Sequence, residues 1–425
     1  MLTCSYSSDF KDVVFSANIA FSKKSFPYVM AMSIPWILCH GQRCITRLHE
    51  FGLHPRSRSA YYRFLSEGKF RMRVLFMCLF KLIVSTFKLK DITVVVDDTL
   101  CPKWGKKIFG TSTFYDHGTR PKQGYIWGHN WVVLAVVVSF DKRWHIALPF
   151  WIALYRSEKT CPTSEFKTRH ELTIEALHAV KEWFSGKITL LGDGAYNNDS
   201  IISPCQKMQI DVVSRFRSDA RLRKPKPPRK KRKTRGRPRK YGDRLPALSA
   251  LAKTKSAFSE TVVTIYGKRV TLLVRERIVY WSALKRTVKL VITRSPSSSS
   301  RLAYLMSTDV SMSAEEIIVL FSKRWSIEQL FSELKEQLGF NSAELRLEKS
   351  VCRHAALCIA ISTWLRVWWY SRNKNTSHQT FSRIIGALRE ETIASTIFDS
   401  GLRCRGADKI AHNIATLFSN ATRVA

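Results

Sequence analysis

Acidic residues are scarce in this chain. Asp and Glu number 33 against 70 Lys and Arg in 425 residues, a formal net charge of +37. So basic a balance argues against cationic partners and favours a polyanion. Long apolar runs are missing too. No stretch reaches about 18 uninterrupted apolar residues, so no membrane-spanning helix is expected. The run from Val74 to Phe87 is broken by Lys81. The opening MLTCSYSSDFKDVVF has neither the basic start nor the long apolar stretch of a secretory signal. Cys-x-x-Cys pairs are absent: the ten cysteines are scattered. Cys352, His354 and Cys358 on one expected helix are too few for a zinc site. The cysteines read as reduced and mostly buried, as in a cytoplasmic protein. No internal repeat is found.

What is present is enough for a large core. Hydrophobic residues make up 45% of the chain, and the length suits two or three domains. The charge is spread out. Residues 221–244 carry 14 Lys and Arg against Asp243, a net +13, which leaves +24 of the total +37 elsewhere. The pattern fits a long nucleic-acid path, with the chain nucleoid-associated if that acid is DNA.

Residues 1–90 read as a helical region that binds DNA. Its segment from Gly41 to Ser66 fits two helices around a turn at residues 52–56. It is either an ordinary helical hairpin or a helix-turn-helix with Arg56, Arg58 and Tyr61 toward DNA. Residues 91–218 read as the first part of an α/β catalytic core. In ITVVVDDT and ITLLGDGAY, a run rich in β-branched and apolar residues leads to an acid, which predicts buried strands ending at Asp97 and Asp193. Apolar runs at Trp131–Phe140 and His145–Tyr155 and a helix-period segment from Phe166 to Phe184 lie between them. A right-handed crossover can then set the two Asp strands side by side in parallel. At about 4.8 Å between strands, their carboxylates can share metal ions.

Residues 219–300 read as a basic linker followed by a β-rich insertion. The linker's Pro content and like charges argue against a packed element. Within it Arg235-Gly236-Arg237-Pro238 looks like an AT-hook, and arginine suits a narrow minor groove. A solvated, phosphate-binding linker fits equally well. Strands are expected at Ser259–Trp281, Thr287–Ser295 and Leu302–Ser307. Residues 301–345 read as the second part of the core, and 346–425 as a helical C-terminal region in which Trp364, Trp368 and Trp369 pack.

The second part of the core holds FSKRWSIEQLFSELKEQLG. A capping box at Ser313 and Glu316 and a stop at Gly339 predict one helix. At about 100° per residue, Arg324, Glu328 and Lys335 fall near 300°, 340° and 320° from Phe321, on one narrow face. Arg and Glu four apart also make an ordinary surface pair. With two upstream Asp residues, however, the set can hold a phosphate beside a metal ion, because hard divalent cations prefer carboxylate oxygens. Glu333 and Glu336 lie about 140° and 80° around from Glu328. His129, the pair Asp116-His117, and Trp325, about 100° from Arg324, are weaker candidates.

The order DDT, DGAY and F-x2-R-x3-E-x6-K resembles the DDE transposases of bacterial insertion sequences. It is most similar to the group with a Tyr-Arg-Glu-Lys signature (insertion sequence four and its relatives, notably the seven-hundred-and-one type). CPKWGKKIFGTSTFYDH and GYIWGHNWVVLAVVV share the likeness, which spans roughly residues 92–339. The resemblance implies an RNase H-like catalytic core with a β-rich insertion and helical N- and C-terminal regions. It implies that Asp97, Asp193 and Glu328 bind two Mg²⁺ ions, with Mn²⁺ able to substitute. The motif favours Asp97 over Asp98 as the first ligand. Arg324, Lys335 and, in the tyrosine's place, Phe321 would then touch transposon-end DNA. Phe321 lacks the hydroxyl, so it can stack or pack but cannot bond a phosphate. The implied activity is cleavage of terminal inverted repeats and strand transfer to target DNA by a dimer. A junction-resolving nuclease, or a transposase-derived DNA-binding protein that no longer cuts, are the competing expectations.

Overall fold

The computed structural model describes residues 8–51, 56–116, 124–140, 144–226, 240–254, 257–296, 298–373 and 379–403. Five helices come first: α1 Ser8–Phe15, α2 Phe26–Leu38, α3 Ile45–Phe51, α4 Arg58–Glu67 and α5 Met72–Thr86. Four strands follow: β1 Ile92–Pro102, β2 Ser112–Asp116, β3 Gly124–Ser139 and β4 His145–Tyr155. Helix α6 Arg169–Trp183 crosses to β5 Ile188–Leu191, then α7 Asp199–Lys207 leads to β6 Ile210–Arg215. Next come β7 Leu222–Arg223, α8 Leu248–Lys253, β8 Ser259–Ile265, β9 Lys268–Trp281, β10 Arg286–Ser295 and β11 Ser298–Ser307. The chain closes with α9 Ala314–Lys323, α10 Ser326–Gln337, α11 Glu348–Arg372 and α12 Phe381–Arg403.

The middle of the molecule is one mixed sheet. Its order is β2-β3-β1-β5-β6-β11-β10-β9-β7, with β4 also on β3 and β8 on β9. Strands β4, β3 and β1 are antiparallel neighbours, while β1, β5 and β6 run parallel. That is the expected RNase H-like core, with the Asp97 and Asp193 strands adjacent. The central strands are apolar on both faces: Val94, Val95, Val96, Leu190 and Leu191 are fully buried. Helix coverage of both faces is what a sheet of this kind requires.

Strand β1 does not stop at Asp97 but runs on to Pro102. Its pairing with β5 ends at Val95, yet β3 is long enough to keep pairing it as far as Pro102. The expected strand Ser259–Trp281 is a hairpin. Tyr266 and Gly267 both take positive φ, 50° and 75°, as a two-residue hairpin turn of matching twist demands. The insertion strands β9 and β10 extend the central sheet through β11, the expected Leu302–Ser307 strand, which pairs with β6. Backbone groups at the edge of β6 are thereby satisfied.

The expected single helix from Ser313 to Gly339 is two, α9 and α10. At the break the amides of Arg324 and Trp325 bond three residues back, to Phe321 and Ser322. The Ser322 hydroxyl donates to Val319 O at 2.7 Å and that of Ser326 to Lys323 O at 2.8 Å. Serine side chains that bond preceding carbonyls in this way bend helices. The Ser313–Glu316 capping box is formed, and Gly339 has φ 64°. Ser313→Ala should therefore weaken the first turn of α9 by about 1 kcal/mol. Faster hydrogen exchange of its amides would register that, and unchanged exchange would contradict it.

Segments far apart in the chain interlock around this helix pair. Trp36 Nε1 donates to Leu338 O at 2.8 Å, Gln42 to Glu344 at 3.1 Å, Arg353 to Leu65 O at 2.8 Å and Arg389 to Ile37 O at 2.6 Å. Glu333, on the inner face of α10, pairs with Arg366 of the buried helix α11. Trp364 and Trp368 are buried in that core. Tyr61 is only 3% exposed and the Arg56 guanidinium lies over the Tyr28 ring, so Tyr61 does not face DNA. The eight described cysteines are free, and all but Cys352 are buried. Among the described residues no helix is long and apolar enough to cross a membrane.

Candidate active site

Asp97 and Asp98 are consecutive on β1, so their side chains leave opposite faces of the strand. Asp98 is fully engaged: its Oδ2 accepts from Asn130 Nδ2 at 3.0 Å and from Arg169 Nη1 at 2.8 Å. Asp97 looks the other way. Its Oδ1 accepts the Asp98 amide at 2.9 Å and its Oδ2 accepts from Arg324 Nη1 at 3.1 Å. The other arm of that guanidinium, Nη2, donates to Glu328 Oε1 at 2.5 Å. One arginine thus joins the first and third expected acids, 231 positions apart in the chain.

Asp193 follows β5 and caps the short turn Gly194–Tyr196, accepting the Ala195 amide at 2.8 Å. Ser214 holds its carbonyl at 2.7 Å. Burial first, and then the negative charge of Asp193, raise the Asp97 carboxyl from 3.8 to about 7, against the pull of Arg324. Burial and a like charge outweigh the single guanidinium that faces Asp97. Beside them the buried Tyr196 hydroxyl and Asn130 Oδ1 have no partner among the described atoms. Burial, and then the charges of Asp98 and Asp97, push the Tyr196 phenol well above its ordinary range.

Asp97, Asp98 and Asp193 line a cleft of about 1150 Å³ together with Arg169, Arg217 and Lys335. Lys335 therefore faces the same space as the two acids. Phe321 is half-buried, packed against the core, with the Arg324 guanidinium 5.9 Å above its ring. Across the break between α9 and α10, Arg324 still meets both Phe321 and Glu328. Glu336 is exposed and bonds Ser332. Trp325 is 54% exposed. His129 is a structural residue: burial lowers it to about 4, and it bonds Phe109 O at 2.9 Å. Arg235, Arg237 and His117 lie outside the described residues.

The donor set suits a hard divalent cation. It consists of carboxylate oxygens with unsatisfied hydroxyl and amide oxygen nearby, which water on such an ion would bond. Among the described residues no three such side chains converge closely enough to hold a metal, because Arg324 lies between Asp97 and Glu328. Sequence reading missed Arg169, Asn130, Arg217 and Tyr196. Tyr196 stands inside the DGAY motif and was the one accessible signal. Arg169 reaches Asp98 across 71 positions, and no local pattern marks that pairing.

Taken together, an RNase H-like sheet carrying adjacent aspartates over a cleft lined by both acidic and basic side chains fits a nuclease class that works on phosphodiesters. Residues 33–275 match the family model of DDE superfamily endonucleases, and the chain belongs to that family. The match contains Asp97 and Asp193 and ends before Glu328. Among solved structures, a piggyBac transposase synaptic complex with hairpin DNA is similar, with a TM-score of 0.45 and 11% identity, over 96% of this chain and 81% of that one. No characterised protein sequence matches the chain.

Proposed function

We propose that this protein is a DNA transposase of the insertion-sequence kind, which cuts its element's terminal inverted repeats and joins the freed ends to target DNA. The observation that carries this reading is the Arg324 bridge, which ties Glu328 to Asp97 beside Asp193. Asp97, Asp193 and Glu328 would hold Mg²⁺, with Mn²⁺ able to substitute. When bound there, two such ions supply Lewis acidity at the attacking and leaving oxygens and generate the nucleophile. Asp98, paired with the Arg169 guanidinium and bonded by Asn130, would keep β1 in place and leave Asp97 as the ligand.

Arg324 and Lys335 would orient the scissile phosphate. A guanidinium can exchange a carboxylate for a phosphate with little loss, since both accept two N–H bonds in one plane. Phe321 would support the Arg324 guanidinium from below. The linker arginines Arg235 and Arg237 would add minor-groove contacts, and residues 1–90 further contacts to duplex DNA. A dimer would bring two ends together.

The test is incubation of the full chain with its own element ends and Mg²⁺, with mapping of the cut strands. Cleavage at the element boundary is expected, with a free 3′-hydroxyl, and complete loss in excess chelator. Cutting that persists unchanged in chelator would rule out carboxylate-bound metal as the source of activity.

A further inference from the structure

The segment Trp104-Gly105-Lys106-Lys107 links β1 to β2, and nothing in the chemistry above uses it. Trp104 is 96% exposed, and both lysines are exposed as well. An indole left in water forgoes more burial than almost any other side chain could gain. A floppy loop would explain such exposure, but this loop is tied down on both sides. Lys103 is buried, and its Nζ donates to Asn341 O at 2.8 Å and Ala343 O at 2.9 Å. The Lys103 amide bonds Trp127 O at 2.9 Å, and Trp127 Nε1 donates to Gly105 O at 3.3 Å. The Phe109 amide bonds Arg346 O at 3.0 Å. A Cβ on Gly105 would come within 3.1 Å of Ile108. The loop is thus fixed at its base and presents one indole and two ammonium groups to solvent.

Its position is informative. Pro102 and Asn341, which flank or hold its base, both line the carboxylate cleft. We infer that Trp104, Lys106 and Lys107 form a preorganised DNA contact, which receives the strand as it leaves the carboxylate cleft. The lysines would neutralise successive phosphates, and the indole would lie against an exposed sugar or base face. Rigidity matters because little ordering entropy is lost on binding. The identity of the partner rests on the DNA-cutting reading; the shape of the contact does not.

The full chain is titrated, by fluorescence anisotropy, with a labelled mixed-sequence duplex bearing a single-stranded overhang. Trp104→Ala should weaken binding roughly ten-fold, as loss of one stacked aromatic does, and Trp104→Phe should recover most of it. Lys106→Ser with Lys107→Ser should lower the slope of log affinity against log salt by roughly 0.9 per lost duplex phosphate contact. All these side chains are exposed, so thermal stability should not move. If the wild type binds and every variant binds equally with the same slope, the loop contact is wrong and the transposase reading stands. If Trp104→Ala changes sedimentation of the DNA-free protein and leaves DNA binding alone, the loop meets a second copy and the inference fails. If the wild type binds no DNA at all, the functional reading fails with it.

Discussion

Asp97→Asn is expected to abolish DNA cleavage while leaving the protein folded. The substitution keeps side-chain size and removes one carboxylate from the group around the cleft. A metal-ligand loss of several kcal/mol in transition-state stabilisation is a rate loss of roughly a thousand-fold or more. Asp98→Asn should retain measurable cutting, because its acid is spent on Arg169 and Asn130. The reverse result would exchange their roles. The same experiment has a stability readout. The Asp97 carboxyl titrates near 7 when folded, against 3.8 ordinarily. A raised folded pKa means that the protonated form favours folding. That stabilisation is complete below about pH 4 and is lost as pH rises through 7. Above that, an ionised Asp97 opposes folding. In metal-free solution Asp97→Asn should therefore hold or raise the melting temperature at alkaline pH. A fall of several degrees would mean that the carboxylate serves structure instead of chemistry.

The second large effect is expected at Arg324, replaced by Ala alone and together with Lys335→Ala. If the pair merely solvates a helix surface, the cost is about 0.5 kcal/mol of stability and cleavage stays near normal. If they hold the end phosphates, each loss removes a charge-assisted bond of about 1.5–3 kcal/mol. Cleavage would then fall roughly 10- to 100-fold for each. In the resting protein Arg324 already pairs with both Asp97 and Glu328. Its removal should therefore also make the melting temperature more sensitive to added Mg²⁺, since an ion can then replace the missing cation. Normal cutting by the double variant would leave the three acids as the whole of the site.

The positions of the proposed acids were readable because each ends or follows a local signal: a β-branched run before Asp97, an apolar run before Asp193, a capping box ahead of Glu328. Parallel pairing of β1 with β5 followed from the helix between them. Other features depend on contacts that no window contains. The length of β1 past Asp97 is set by its partner β3. The break at Arg324–Trp325 is flanked by two serine hydroxyls bonded to preceding carbonyls, where helix periodicity alone predicts continuity. The insertion's union with the main sheet depends on β11 meeting β6, a tertiary event. The choice between Asp97 and Asp98 was visible as an ambiguity; in the fold Asp98 bonds Arg169 and Asp97 bonds Arg324, partners no sequence window contains.

The bonds from Trp36 to Leu338, Arg353 to Leu65 and Arg389 to Ile37 have a bearing on synthesis. Glu328, the proposed third acid, sits on a helix whose end is anchored by residues made some 300 positions earlier, and whose back is packed on α11. A growing chain would display its aspartate strands long before Glu328 could be seated. Contacts of such separation also form slowly. If the proposed cutting is right, it should emerge only after the last helices have docked, with a partly made copy able to hold DNA by its positive charge without breaking it.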